Sequence, residues 1–348
     1  MRVIIAGGGT GGLATALALR KVGVDPLVLE RAPAFTAIGA GLGLQVNAMK
    51  ALTYIGGDAY WRQTSARIEI AEQRGLADDE LISTSTYDAQ VRKYGEHYYC
   101  GHRADLLTSL LTALPPECVR TGSRVVALEQ TPDAVRVQLE TGEQISGDLL
   151  VGADGLRSQV RTLLFGEQEG RFTGVVVWRG LIPREKVAER HFEKIITWLG
   201  PQRHVLLYPL RHPAHPDSVY SLSAFVPAGE VHRESWTASG DLADLHASLA
   251  AACPALQDLL DSMDSALITG IYFAIRLSAG RRTAFCCSAT PRTRRHRAPG
   301  RERAWRSRTR SCWRPVSTGT GQAASGQLFV STSTGGSHAL SGCSSHRA

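Results

Sequence analysis

The residues best suited to chemistry lie within the first thirty positions, where three glycines are spaced as Gly7-x-Gly9-x-x-Gly12 after a short apolar run. A segment with helical periodicity follows, and a second apolar run ends at Glu30. In such a pattern the glycines permit a tight turn, the close approach of a pyrophosphate and close helix–sheet packing, while the terminal carboxylate accepts hydrogen bonds from a ribose. The pattern therefore predicts an adenine dinucleotide site, and a glycine-rich turn without a ligand is the alternative.

A second motif, Gly152-Ala153-Asp154-Gly155, follows another predicted strand, with Arg157 and Arg161 after it. An Asp-Gly turn at a strand end offers a carboxylate to a ribose or ribityl hydroxyl, and the arginines suit phosphate. An ordinary β-turn is the alternative interpretation.

A third candidate is the pair His204 and Tyr208, which are four residues apart on a predicted strand. Side chains at that spacing point to one face of a strand, where they can contact a phenolic or carboxylate substrate. A surface histidine beside a core tyrosine is the alternative.

The elements that position these residues are predicted from hydrophobic periodicity and turn residues. Strands are predicted at residues 3–6, 26–30, 125–128, 135–139, 149–152 and 268–277, with antiparallel strands over about 67–100 and a β-rich region over 172–226. Helices are predicted at residues 11–22, from about 48, at 102–114, after 158 and at 241–263, with a glycine-rich loop over 38–48. The first helix is expected to turn Leu13, Leu17 and Ala18 inward.

Composition limits the class of protein. The 348 residues suffice for two domains or one large domain. From Arg281 onward there are 13 arginines, no lysine and one acid, so the first 280 residues carry 26 basic and 31 acidic side chains. No apolar run reaches membrane-spanning length, and a core strand directly after Met1-Arg2 leaves no room for a signal peptide. Outside the tail, Cys100, Cys118 and Cys253 show no metal-ligand spacing and are typical of reduced cytosolic thiols. We expect a soluble cytoplasmic protein with no bound metal.

Together these residues resemble the single-component FAD-dependent aromatic monooxygenases of the p-hydroxybenzoate hydroxylase-like fold, and more closely the salicylate hydroxylases and 6-hydroxynicotinate 3-monooxygenases. The likeness spans about residues 1–280 and includes Gly101-His102-Arg103-Ala104-Asp105, Trp178-Arg179-Gly180 and the stretch from Arg203 to Tyr208. It implies an α/β fold with a Rossmann-like FAD-binding domain, a β-rich substrate domain and an irregular C-terminal tail. The implied cofactor-binding residues are Gly7, Gly9, Gly12, Leu13, Glu30, Arg31, Arg103, Asp154 and Gly155.

The resemblance also implies a reaction. In that family NAD(P)H reduces FAD, and O2 forms a C4a-hydroperoxide that hydroxylates a small aromatic substrate. The residues that match His204 and Tyr208 line the substrate pocket of the hydroxynicotinate enzymes, so these two are the implied catalytic residues. One departure is Gly43, which stands where those enzymes have a pocket histidine.

The predicted domains are discontinuous. Residues 1–70, 101–165 and about 268–284 are assigned to the FAD-binding domain, residues 71–100 and 166–267 to the substrate domain, and residues 285–348 to a disordered tail.

The tail lacks a motif that the family carries, Gly-Asp-Ala-Ala-His, whose Asp holds the ribityl chain. When the third base of each codon is read with the first two of the next, residues 285–293 can encode Leu-Leu-Leu-Gly-Asp-Ala-Ala-His, and the first two leucines follow from Phe285-Cys286-Cys287 whatever the codons. The same frame lets residues 304–314 encode the Glu-Asp-Ala helix that follows in the family. We therefore hypothesise that the tail is translated out of frame from near residues 281–285, which puts the activity of this chain in doubt.

Three alternatives remain open. An NAD-dependent oxidoreductase shares the first glycine motif but not Arg103 or the Asp154-Gly155 turn, and an inactive FAD-binding remnant shares everything except turnover. A basic tail for nucleic acid is the third, but the tail has no lysine and few aromatic residues. We expect neither a nucleic-acid nor a membrane partner.

Overall fold

The computed structural model describes residues 1–35, 41–131, 133–167, 170–212, 215–228, 239–273 and 286–288, which form four sheets. The strands are β1 Arg2–Ala6, β2 Asp25–Leu29, β3 Gly41–Leu44, β4 Ala66–Ile68, β5 Ile70–Gly75, β6 Leu81–Thr86, β7 Tyr98–His102, β8 Val119–Arg120, β9 Val125–Gln130, β10 Val135–Leu139, β11 Gln144–Gly147, β12 Leu149–Gly152, β13 Arg171–Pro183, β14 Lys194–Gly200, β15 Arg203–His212, β16 His215–Pro227, β17 Ser239–Gly240, β18 Ala266–Phe273 and β19 Cys286–Ser288. The helices are α1 Thr10–Lys21, α2 Val46–Ile55, α3 Ala59–Thr64, α4 Asp88–Tyr94, α5 Arg103–Thr112, α6 Gln159–Phe165, α7 Leu242–Ser248 and α8 Pro254–Asp261.

The first sheet has the strand order β19-β12-β1-β2-β8, and β1 runs parallel to both β2 and β12. Residues 3–5 of β1 are fully buried, as expected for a parallel strand covered on both faces. Helix α1 buries Leu13, Ala16 and Leu17, whereas the predicted inward residue Ala18 is only partly buried. The βαβ unit predicted from the glycine motif is therefore confirmed.

The largest sheet has eight strands in the order β17-β18-β13-β16-β15-β14-β5-β6. One face packs under α7 and α8 in an apolar core that contains Trp178, Trp198 and Tyr220. The opposite face carries residues of the other parity, including Arg179, His204 and Tyr208. We call it the inner face of the large sheet. Strand β18, predicted to accompany the FAD-binding domain, pairs with β13 in this sheet.

A small antiparallel sheet, β3-β7-β4, differs from the prediction of a glycine-rich loop. Residues 41–44 alternate glycine and leucine, and β3 pairs with β7 so that Gly41 and Gly43 share one face. Leucine side chains on the other face contact the core beneath, which makes a strand of this segment. Residues 36–40 lie outside the described part of the chain.

Further differences have local causes. The predicted helix over 241–263 is two helices, because Pro254 starts α8 and cannot continue α7. Helix α4 was missed because it buries none of its residues and so lacks an apolar stripe.

Much of the predicted tail falls outside the described residues. Cys286–Ser288 forms β19, antiparallel to β12. Residues 274–285, which include the end of the predicted last strand and the first residue of the predicted tail, and residues 289–348 of the tail are not described. Among the described residues, none of the helices is both long and apolar enough to traverse a bilayer.

Candidate functional site

The two glycine motifs meet at the carboxyl ends of β1 and β12. Gly7 has a φ of +108°, a conformation that favours glycine, and a Cβ there would overlap the Ala153 carbonyl oxygen and lie 2.8 Å from Asp154 Cα. The Gly7 N–H donates to the Leu29 carbonyl oxygen at 2.8 Å. The loops after β1, β2 and β12 therefore form one crevice at the carboxyl edge of the sheet, where ligands of such folds bind.

The other two motif glycines have separate roles. A Cβ on Gly12 would overlap the Gly7 carbonyl oxygen, so Gly12 lets α1 pack against the turn. A Cβ on Gly9 would meet no atom within 4 Å, and its φ of −71° suits any residue. Gly9 therefore leaves the approach to α1 open, and the first amides of that helix, which lack intrahelical partners, present positive charge there.

Glu30 is held at the end of β2 by backbone amides. Its Oε2 accepts a hydrogen bond from the Gly8 N–H at 2.6 Å, and its Oε1 accepts one from the Ala32 N–H at 2.8 Å. Each carboxylate oxygen keeps a further lone pair for a ribose hydroxyl. Gly8 was treated as a variable position in the sequence, yet a Cβ there would lie 2.8 Å from Glu30 Cβ. The direct contact between the two could not be deduced from spacing.

The Asp154 side chain stabilises the turn in which it lies by accepting hydrogen bonds. Its Oδ1 accepts a hydrogen bond from the Ser158 hydroxyl and its Oδ2 accepts one from the Val160 N–H at 3.0 Å, while Ser158 caps α6. Gly155 is exposed, with a φ of +82° and open space around it. The turn is therefore rigid, and Asp154 keeps lone pairs for a ligand hydroxyl.

The remaining predicted cofactor residues differ in how exposed their side chains are. Arg31 is exposed, and Arg103 is half-buried at the start of α5, where burial lowers its pKa. The Leu13 side chain is fully buried in the core, and its N–H donates to the Gly9 carbonyl oxygen at 3.0 Å. Leu13 therefore has no side-chain surface to offer a cofactor.

His204 and Tyr208 lie on the inner face of the large sheet, as predicted for strand residues four apart. The His204 ring stacks on Phe225 with centroids 4.3 Å apart, and burial lowers the pKa of His204. Tyr208 is 5% exposed, and burial raises its pKa to about 12, although the Ser221 and Ser223 hydroxyls oppose the shift. At neutral pH the pair thus presents a neutral imidazole and a protonated phenol.

Polar residues that were not predicted to have a role lie beside Tyr208 on this face. Arg179, only 6% exposed, donates to the Thr269 hydroxyl and faces Ser223 across the β13–β16 pair. Ser223 is also buried. Apolar and polar residues alternate along β13 and β16, which places these side chains on the face opposite the apolar core. Which of them are neighbours depends on the register between the strands, and alternation alone does not determine that register.

The crevice fits the adenosine and pyrophosphate part of a dinucleotide. Gly9 leaves space for phosphate at the start of α1, Glu30 keeps lone pairs for a ribose, and the Asp154 turn closes the far side. These are complementary groups for diphosphate and ribose.

Comparisons with known proteins agree with this geometry. Residues 1–253 match the model of a protein family described as FAD binding domain. The chain is 38% identical over 212 residues to 3-amino-4-hydroxybenzoate 2-monooxygenase of Streptomyces cremeus, which covers 60% of this chain and 54% of that enzyme. It is 28% identical to 6-hydroxynicotinate 3-monooxygenase of Bordetella bronchiseptica, over 75% of this chain and 68% of that one.

A solved structure shares the fold. The crystal structure of Klebsiella pneumoniae HpxO complexed with FAD and uric acid superposes with a TM-score of 0.67 at 26% identity, over 78% of this chain and 68% of that chain. The match to the Streptomyces cremeus enzyme spans little more than half of its length.

Proposed function

The chain belongs to the FAD binding domain family, and on that premise we propose that it is an FAD-dependent monooxygenase of small aromatic substrates, with NAD(P)H and O2 as co-substrates. The names of both enzyme relatives denote rings that carry a hydroxyl and a carboxylate, and we propose the same substrate class here. When bound, FAD supplies the electron transfer and oxygen activation that side chains lack.

The observation that carries the proposal is the junction of Gly7 with the Ala153–Asp154 backbone. It joins two ligand-binding turns, one after β1 and one after β12, at the same edge of the sheet. A plain NAD-dependent oxidoreductase needs only the turn after β1. Gly9, Glu30 and Asp154 would hold the pyrophosphate and hydroxyls of FAD. Arg103 at the start of α5 would add a positive charge to the cofactor site.

The inner face of the large sheet supports the substrate assignment. The Tyr208 phenol, protonated at neutral pH, would donate a hydrogen bond to a ring oxygen of the substrate. The neutral His204 imidazole would accept a hydrogen bond from a polar group of the substrate. The buried Arg179 guanidinium provides the positive charge that favours a carboxylate.

The sequence of the tail restricts how much of the FAD site this chain itself can form. The family's ribityl-binding Gly-Asp motif is absent from residues 281–348 in the frame that is translated, and the family match ends at residue 253. We propose that the chain retains the adenosine half of the FAD site and binds the flavin half weakly. The inactive remnant is the second candidate, favoured by the missing motif.

Two versions of the gene test the function. The purified chain is compared with a version read from residue 285 in the neighbouring frame, and both are reconstituted with FAD. We expect the restored version to bind flavin stoichiometrically and to oxidise NAD(P)H faster when 3-hydroxybenzoate is added. Absence of flavin binding and of oxidation in both versions would contradict the proposal.

A further inference from the structure

Tyr98, at the start of β7, faces the same interior as Tyr208 but comes from the other side. It lies in one buried cluster with Ile195, Tyr208 and Leu210 of the large sheet, and it is 8% exposed. Its own strand belongs to the small β3-β7-β4 sheet. The small sheet and the inner face of the large sheet therefore each contribute one tyrosine to the layer between them.

Two glycines of β3 accommodate these tyrosines. A Cβ on Gly41 would lie 2.8 Å from Cε2 of Tyr208, and a Cβ on Gly43 would overlap the Tyr98 hydroxyl and lie 2.7 Å from its Cε2. Gly43 has no positive φ, so its backbone conformation does not call for glycine. The Tyr98 phenol, packed into the volume that a β3 side chain would take, is what requires glycine there.

The two glycines bring the tyrosines close together. Gly41 and Gly43 are alternate residues of one strand, so their Cα atoms are about 7 Å apart. Tyr208 and Tyr98 pack beside these two positions, so both phenols lie under the same stretch of β3.

Charge separates the two ends of this layer. Arg179 lies on β13, whereas Tyr98 contacts residues of β14 and β15, and in the sheet β16 lies between β13 and β15. Neighbouring strands are about 4.8 Å apart, so at least two strand spacings, or roughly 10 Å, separate the cationic from the phenolic end along the large sheet. A carboxylate is favoured at the Arg179 end, and an uncharged hydroxyl is favoured at the Tyr98 end.

We propose that Tyr98 is a specificity-determining residue that hydrogen-bonds the ring hydroxyl of an aromatic carboxylate substrate. This inference rests on the proposed function and adds the orientation of the substrate, with its hydroxyl toward β3 and β7. The Tyr98 hydroxyl hydrogen-bonds the Cys100 thiol, a weak partner, and its oxygen keeps lone pairs that can accept a hydrogen bond from a substrate hydroxyl. Burial raises the pKa of Tyr98 well above its ordinary value, which keeps the hydroxyl protonated.

The test measures affinity for two probes, 3-hydroxybenzoate and benzoate, by calorimetry on the full chain with and without added FAD. We expect the native chain to prefer 3-hydroxybenzoate. Tyr98→Phe is expected to weaken 3-hydroxybenzoate binding by about five- to tenfold, the effect of one neutral hydrogen bond, and to leave benzoate binding unchanged. Tyr220→Phe is the matched control, since Tyr220 is a buried tyrosine on the opposite face of the large sheet.

Gly43→Ala is a second variant, for the case in which Tyr98→Phe does not fold. It retains the tyrosine at position 98 but forces the Tyr98 hydroxyl to shift, and we expect the same selective loss of affinity for 3-hydroxybenzoate. An equal loss for both probes, or no loss, would overturn the role of Tyr98 while leaving the proposed function intact. If the native chain binds neither probe, the substrate class of the proposed function fails, and the role of Tyr98 fails with it.

Discussion

Single residues in the dinucleotide crevice divide into those that shape the backbone and those that would touch a ligand. The glycine spacing predicted the tight turn at Gly7 and the close packing of α1 at Gly12, because both depend on the local backbone. It did not predict that Gly8 packs against Glu30 or that Gly7 packs against the Ala153–Asp154 backbone, because those contacts join residues distant in the chain. The inward side chain of Leu13 was predicted from the helical period, whereas a role at the cofactor was implied only by the family resemblance. Asp154 was predicted as a ligand-binding carboxylate, but its role in holding α6 emerged only from the structure.

The glycines allow a prediction that separates packing from binding. Gly9→Ala is expected to weaken FAD binding at least tenfold with a change in unfolding free energy below about 1 kcal/mol, because the new methyl meets only the open approach to α1. Gly12→Ala is expected to destabilise the fold by about 1–3 kcal/mol, because its methyl collides with the Gly7 carbonyl. Urea unfolding and FAD titration on both variants measure the two effects. A large loss of stability in Gly9→Ala would contradict the assignment.

Glu30 is expected to act through its charge. Glu30→Gln should reduce FAD affinity by about tenfold, because a charge-assisted hydrogen bond to the ribose becomes a neutral one. Fluorescence titration with FAD checks this, with Glu129→Gln as a control because Glu129 belongs to an exposed ion pair far along the chain. Equal affinities for Glu30→Gln and the control would remove Glu30 from the site.

At the scale of elements, the strands and helices of the βαβ unit were predictable because a fully buried parallel strand reads as a continuous apolar run. Strand β3 was not, because glycine at alternate positions resembles a loop until its pairing with β7 is known. The grouping of Arg179, Ser223 and Tyr208 was equally hidden, because the order β13-β16-β15 is a long-range property of the sheet.

A buried histidine that packs against β14, His191, predicts that the stability of the fold depends on pH. His191 is 2% exposed against Trp198 in this region, and burial, reinforced by Arg190 and Arg74, lowers its pKa to about 4 from 6.5. Between these two values the unfolded chain binds a proton that the folded chain does not, so stability falls as the pH drops from 6.5 toward 4.

This effect is measurable by urea unfolding at pH 6.5 and pH 4.5. The contribution of His191 has an upper limit of about 1.4 kcal/mol per pH unit. His191→Phe should flatten the slope, because it removes the group whose pKa differs between the folded and unfolded chain. An unchanged slope in His191→Phe would contradict the assignment.

At the scale of the whole molecule, residues 1–280 and the rest of the chain differ in kind. The first part is mildly acidic with well-defined periodicity and carries the family match, whereas the arginine-rich remainder lacks the Gly-Asp motif that would complete the cofactor site. An out-of-frame tail accounts for both the composition and the missing motif. We therefore expect a cofactor site that is complete at the adenosine end alone.

A competition titration on the purified chain shows which half of FAD the site holds. FAD is titrated into the chain and followed by flavin fluorescence, and ADP or FMN is then added as competitor. We predict weak, saturable FAD binding that ADP displaces and FMN does not, because Gly9 and Glu30 hold the part that FAD shares with ADP. Displacement by FMN with no effect of ADP, or stoichiometric flavin that ADP cannot displace, would show that the site does not hold the adenosine half alone.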